Sequence, residues 1–423
     1  VTGVQTCALP ICFATPEELQ EIRNKQEAMK LIPGYYGQFA RDRFLTNDER
    51  KEKILAKTPY VIRFKSLGNH VKKIKVSDLI HGDFEIAQND QDIVIYKSDG
   101  LPTYHFAHAV DDHFMRTTIV IRGGEWIASL PIHVELFEAL DFTLPKYAHL
   151  PVIMKLDENG HKRKFSKRLD KEAAVSYFLE NGYPVEAIII YLMTIANSNF
   201  EEWLFKNGYK NISDFHFSFD KMSLEGALFD LTKLQFFSKE VLANKNKEEI
   251  LSLALSYSKQ YDLELYNLIN RDKNYFKDIM NIEREKENPR KDYYKLGNLQ
   301  ESISFFYDDL YDEMIKGELP FNANFSKNII ASVLNDLKSL NLEQEESEWF
   351  SQMKEIALNH KFAPNGKTFK KEPENYIGTV ADVAEMLRIS LTTRKNSPNL
   401  FYVMKVLGKD RSIERLEKII SLL

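Results

Sequence analysis

The segment KFSKR, residues 164–168, sets two lysines and an arginine around a serine, inside a run that also holds Lys162, Arg163 and Lys171. It leads straight into an apolar helical pattern. Cations gathered at the mouth of a helix suit the grip of a polyphosphate, above all one whose negative charge grows as it departs. A solvated loop would carry the same composition. The other chemistry-bearing residues decide between the two.

In IVIRGGEW, residues 119–126, an apolar run ends in Arg122, two glycines, Glu125 and Trp126. In a cleft, Arg122 could hold a carboxylate by two parallel hydrogen bonds. Tyr104 could close the same pocket, and Trp126 is expected either to line its wall or to fill core. In HFAHAVDDH, residues 105–113, His105 and His108 stand three apart, with Asp112 four further on, on one helical face. That spacing also suits a metal ion. No HExxH and no second ligand cluster follows, so the expectation is histidines that bond a polar substrate or one another, with no metal.

These groups need elements to place them. An apolar strand at 93–96, a turn at Asp99 and Gly100, a helix through the histidines, and a second strand ending at Gly123 and Gly124 suggest part of a parallel doubly wound sheet. Such sheets gather ligands at the carboxyl ends of their strands. Upstream, Thr15 and Pro16 open a helix, and YVIRF and VKKIKV, at 60–64 and 71–76, read as strands of a small α/β module. Downstream, Asp170 is expected to cap a helix that ends at Gly182. Pro184 opens another, with Val185, Ile188, Ile189, Leu192 and Met193 on its apolar face. From about residue 239 the pattern is almost wholly helical, and Val380, Val383, Ala384, Leu387 and Leu391 make one stripe.

The chain has 423 residues and a formal net charge of -5, which predicts several domains and excludes a generally basic nucleic-acid coat, though not local patches. Its longest strongly apolar run, AIIIYLMTIA at 187–196, is too short to span a bilayer. Two cysteines, Cys7 and Cys12, cannot build a disulfide framework, and a cytoplasmic setting is expected. The opening VTGVQTCALPI has no initiating methionine and no signal-peptide pattern, so residues 1–11 are read as a foreign leader.

Taken in order, KSDGLPTYHFAHAVDDH, VIRGGEW, YAHLPVIMKLDENGHKRKFSKR and SPNLFYVMKVLGKDRSIERL resemble the glutamate–tRNA ligase family of class I aminoacyl-tRNA synthetases. The resemblance runs from about residue 12 to the C-terminus, and KFSKR matches a variant of the KMSKS signature. It implies an α/β plus all-α fold. An acceptor-stem-binding α/β insertion would occupy 12–91, and the second half of the Rossmann-like catalytic domain 92–168. A helical stem-contact region would follow over 169–238, and a helical anticodon-binding domain over 239–423.

The implied activity joins L-glutamate to tRNA(Glu) through a glutamyl adenylate, with ATP and Mg2+ as the substrate complex, in a monomer. By the same resemblance Lys167 stabilises departing pyrophosphate, with Lys164, Ser166 and Arg168 supporting. Glu125 and Leu150 fall on the ATP side, and Tyr104, His108 and Arg122 surround the glutamate, with Trp126 as wall.

The match departs in places. His108 stands where many members carry asparagine, Gly124 replaces a common acid, and LTTR near Thr393 lacks a usual glycine. Some members bind zinc through four cysteines in the insertion; only Cys12 is suitably placed here, so no zinc is expected. No HIGH motif occurs, nor the early arginine that members use for the substrate's side-chain carboxylate. The chain is therefore expected to be a fragment that lacks the leading half of its sheet and cannot charge tRNA alone, while the natural gene product is an active ligase. The alternative is a non-catalytic tRNA-binding paralogue. Glutamine enzymes usually carry a β-barrel anticodon domain, and base-modifying relatives lack a large one; the helical tail suggests neither.

Overall fold

The computed structural model describes residues 10–209 and 211–423. The chain divides into two compact units. One holds the chain up to Phe165 with Ile195–Asn199 and His216–Phe229; the other holds Ser166–Thr194, Phe200–Phe215 and Asp230–Leu423.

The first unit contains strands β1 (Ile11–Cys12), β2 (Val61–Arg63), β3 (Lys73–Asp78), β4 (Gly82–Ala87), β5 (Val94–Tyr96), β6 (Ile119–Gly123), β7 (Lys146–Leu150), β8 (Met154–Leu156) and β9 (Lys162–Lys164). Its helices are α1 (Pro16–Ala28), α2 (Asn47–Leu55), α3 (Tyr104–Phe114) and α4 (Leu130–Ala139). Thr15 and Glu18 cap α1 reciprocally, as the sequence predicts, and Thr46 with Glu49 does the same for α2.

A four-stranded sheet runs in the order β4-β3-β7-β6. In it β6 and β7 are parallel, β3 meets β7 in parallel at Asp78 and Tyr147, and β4 folds back antiparallel on β3. Val76, Leu130 and Tyr147 pack between this sheet and α4. A separate antiparallel sheet has the order β1-β2-β5. Its Ile95 and the neighbouring Phe64 pack with Ala109, Leu136 and Phe137 of α3 and α4.

One expectation changes here. The strand before the histidine helix, β5, does not share a sheet with β6; the parallel partner of β7 on its other side is β3, from the VKKIKV segment. An apolar run marks a buried strand but does not name its neighbour. Residues 1–9 of the expected leader lie outside the described residues, as does Cys7. Pro10 and Ile11 are built into the antiparallel sheet, where Ile11 faces Ile62 and Arg63 N–H donates to Pro10 O.

The basic run is only partly a loop. Residues 162–164 form the second strand of the β8–β9 hairpin, whose turn is closed by Asp157 accepting from the backbone N–H groups of Asn159 and His161.

The second unit is helical. Asp170 does not cap a helix: its carboxylate accepts from Ser166 N–H at 3.0 Å, and the helix Val175–Glu180 starts later. Gly182 follows that helix in the left-handed region (φ +77°), where a glycine carries no strain. In the helix Val185–Ala196, Ala187, Ile190 and Tyr191 are buried, while Val185, Ile189 and Leu192 of the expected apolar face are exposed. This helix is apolar on all sides, so periodicity cannot choose its inner face. Tyr191 supplies the deciding contact, accepting from Asp230 N–H at 2.7 Å. The stripe along Val380–Thr392 is as expected, with Val380, Val383, Leu387 and Leu391 buried and Ala384 half-buried.

Candidate active site

Three parallel strand ends converge in the first unit. Asp78 ends β3, Arg122 lies one residue before the end of β6, and His149 one before the end of β7; Arg122 pairs in register with His149, and Gly123 with Leu150. Helix α3 adds Tyr104, His105 and His108, and α4 adds His133.

Hydrogen bonds join these groups into one line. Asp78 Oδ2 lies 2.6 Å from His149 Nδ1, and Arg122 Nε donates to His149 Nε2 at 3.0 Å. Arg122 Nη1 lies 3.1 Å from His133 Nδ1, and His133 Nε2 lies 2.9 Å from His105 Nδ1. A guanidinium can only donate and a carboxylate can only accept, so the proton positions follow. His149 carries its hydrogen on Nδ1, facing Asp78. His133 carries its own on Nε2, facing His105.

Both imidazoles must be neutral to accept from Arg122, and the electrostatics agree. Burial, then the charges of His108 and Arg122, push His133 down to about 2. His105 is lowered by burial and then by Arg122. His149 is lowered by burial, which outweighs the opposing bond to Asp78. Burial works against the charge of Asp78, yet the N–H groups of His81 and Ile80 and the ring of His149 hold its carboxyl below the usual range.

His108 forms a second branch. Its Nδ1 lies 2.7 Å from Asp112 and its Nε2 3.1 Å from the Tyr147 hydroxyl, which donates. Burial lowers His108 and raises Tyr147, so both stay neutral near pH 7. Tyr104 lies parallel to the His108 ring at 5.9 Å and packs on Trp126 at 4.6 Å. The Arg122 guanidinium sits 4.9 Å from the Tyr147 ring and 5.6 Å from that of Trp126. Its Nη2 is buried and has no hydrogen-bond partner. An orphaned cationic donor of this kind costs free energy unless an anion completes it.

Tyr104, His108, Arg122 and Trp126, singled out from sequence, therefore stand together. Glu125 lies 3.6 Å from Lys164, and its carboxylate folds over Gly123, where a Cβ would come within 2.1 Å of Oε2. A Cβ on Gly124 would lie 3.3 Å from Leu150 O, so that backbone pair is close-set. Ser166, Lys167 and Arg168 belong to the second unit, where Ser166 Oγ accepts from Arg168 N–H at 3.3 Å. The metal reading of His105, His108 and Asp112 dissolves, because His105 turns to His133 while His108 turns to Asp112. No group of three or more potential ligand residues that could hold a metal ion occurs among the described residues. Sequence reasoning missed Asp78, His133, Tyr147 and His149. The available signal was a lone histidine inside each of two apolar segments, PIHVELF and YAHL, a pattern more often meaning a satisfied core residue.

Residues 10–236 match the family described as tRNA synthetases class I (E and Q), catalytic domain, and residues 375–420 match an anticodon binding domain. Glutamate–tRNA ligase from Clostridium perfringens (strain SM101 / Type A) is 45% identical over 415 residues, covering 97% of this chain and 74% of that protein. The chain belongs to the glutamate–tRNA ligase family. The ligase from Clostridium beijerinckii is 42% identical over 414 residues, again covering 97% of this chain and 74% of the relative.

Among solved structures, a glutamate–tRNA ligase from Elizabethkingia meningosepticum in complex with its amino acid superposes with a TM-score of 0.72 at 25% identity, covering 98% of this chain and 80% of that one. A second ligase, from Elizabethkingia anophelis, gives 0.71 at 26%, covering 98% and 79%. The chain spans about three quarters of the length of these relatives, and the comparisons lend no support to a non-catalytic paralogue. No helix among the described residues is long and apolar enough to cross a membrane.

Proposed function

We propose that this family member attaches L-glutamate to tRNA(Glu) in the cytoplasm, acting as a monomer on ATP complexed with Mg2+ and without zinc. The observation that carries the reading is the buried, unpartnered Nη2 of Arg122 at the carboxyl ends of parallel strands. A substrate carboxylate supplies the missing acceptor, and the surrounding imidazoles, being neutral, leave Arg122 as the local positive charge toward it. Tyr104, His108 and Trp126 form the remaining walls.

In the first step a carboxylate oxygen of glutamate attacks the α-phosphorus of ATP, the bond to the β-phosphate breaks and pyrophosphate leaves. Glu125 and Leu150 lie on the nucleotide side. Lys167, aided by Lys164, Ser166 and Arg168, neutralises the charge that builds on the leaving group, where it counts most in the transition state. In the second step a ribose hydroxyl at the tRNA terminus attacks the adenylate carbonyl and AMP departs. Positioning supplies most of that rate. The insertion at 12–91 would meet the acceptor stem, 169–238 the stem region and 239–423 the anticodon, where exposed bases can be stacked and hydrogen-bonded.

Calorimetric titration of L-glutamate into the chain, with glutamyl-tRNA formation measured in parallel, tests this. Binding is expected that falls at least thirtyfold in Arg122→Ala, as the loss of a charge-assisted hydrogen bond of about 2 kcal/mol from Nη2 implies. Glutamate affinity unchanged by that substitution would remove Arg122 from the site, and absence of both binding and charging would refute the function.

A further inference from the structure

We infer that Asp78 and His149 are positioning residues for Arg122: they fix its guanidinium so that Nη2 meets the substrate carboxylate. The inference rests on the glutamate reading of the pocket and deepens it. Arg122 is held from two sides, with Nε on His149 and Nη1 on His133, so only Nη2 remains to be presented. The hold at Nε works in one tautomer alone. His149 must offer a bare Nε2, which requires its hydrogen on Nδ1, and Asp78 keeps it there at 2.6 Å.

Every group that touches Asp78 is a donor. Oδ1 accepts from Ile80 and His81 N–H at 2.9 and 3.0 Å, and Oδ2 accepts from His149 N–H at 3.1 Å as well as from the ring. A carboxylate fits four donors; an amide does not. In Asp78→Asn the amide oxygen stays with the turn that follows β3, where two N–H groups need it, and its NH2 then faces His149 Nδ1. The imidazole hydrogen must move to Nε2, directly against Arg122 Nε–H. The guanidinium then loses its second anchor and turns away from the pose in which Nη2 is free.

The isolated protein suffices for the test, read in two ways. Nitrogen-15 shifts of His149 at pH 7.5 are expected to report hydrogen on Nδ1 in the wild type and on Nε2 in Asp78→Asn. Calorimetry is expected to show L-glutamate bound at least tenfold more weakly by Asp78→Asn than by the wild type. An unchanged tautomer, or a dissociation constant within twofold of wild type, overturns the inference.

A paired set guards against a variant that fails to fold. His149→Phe keeps the ring but loses the acceptor and should weaken binding at least tenfold. His149→Gln places an amide oxygen near the position of Nε2 and should recover at least part of that loss. Equal losses in the two would mean a packing role only and would also overturn the inference. If wild-type protein takes up no glutamate, the glutamate reading falls, while the tautomer measurement still decides whether Asp78 sets the state of His149.

Discussion

The buried histidines make stability depend on pH, and His133 allows the size of the effect to be worked out. Its side chain is fully buried and its basicity is pushed down to about 2, whereas an unfolded histidine titrates near 6.5. As pH falls through about 6.5, the unfolded chain takes up a proton that the folded chain refuses. Stability is therefore complete above that value and is lost as pH drops below it, down to the folded value. Linkage puts the loss from His133 alone at about 1.4 kcal/mol between pH 7.5 and 5.5. His105, His108 and His149 are lowered too and add to it in the same direction.

Trp126 is the tryptophan of the first unit, since Trp203 and Trp349 belong to the second. Urea unfolding followed by fluorescence, with Trp203 and Trp349 changed to phenylalanine, therefore reports on the cluster. The wild type should lose at least about 1.4 kcal/mol over this interval. His133→Gln, though less stable throughout, should lose about 1.4 kcal/mol less than the wild type does. Equal pH slopes in the two proteins would show that His133 is not held neutral by its surroundings, and the assignment of hydrogens along the Arg122 line would fail with it.

Two further outcomes are expected. Lys167→Ala should cut glutamyl-adenylate formation, measured by pyrophosphate exchange, by well over tenfold while leaving the melting temperature unchanged, because the proposed contribution of Lys167 is to leaving-group charge. Thr393 closes the helix Val380–Thr392 in the left-handed region at φ +61°, which a β-branched residue enters only under strain. Thr393→Gly should raise the unfolding free energy of the second unit by about 1 kcal/mol, read by Trp349 fluorescence.

The residues with strong local signals were legible from sequence. Thr15 and Pro16 announce α1, Gly100 the turn before α3, and the spacing of Val380, Val383, Leu387 and Leu391 the inner face of their helix. Arg122 at the end of an apolar run, with Tyr104 and Trp126, was singled out from residue type alone, and the three stand together in the structure. What stayed hidden depends on contacts distant in sequence. Asp78 and His149 are 71 positions apart and meet only because β3 lies beside β7, a pairing that neither strand's composition encodes. Asp170 has the chemistry of a helix cap and spends it on Ser166 instead, since a local acceptor goes to whichever N–H the loop brings within reach. The helix Val185–Ala196 carries too many apolar residues for its inner side to be read.

The pairing of β3 with β7 also orders events on the ribosome. Asp78 leaves the exit tunnel 71 residues ahead of the ring to which it will bond. At ordinary elongation rates that interval is roughly 4–14 s. Through it the nascent hairpin exposes a carboxylate whose final neighbours do not yet exist, so the hydrogen-bonded line through Arg122 cannot close until β7 has emerged.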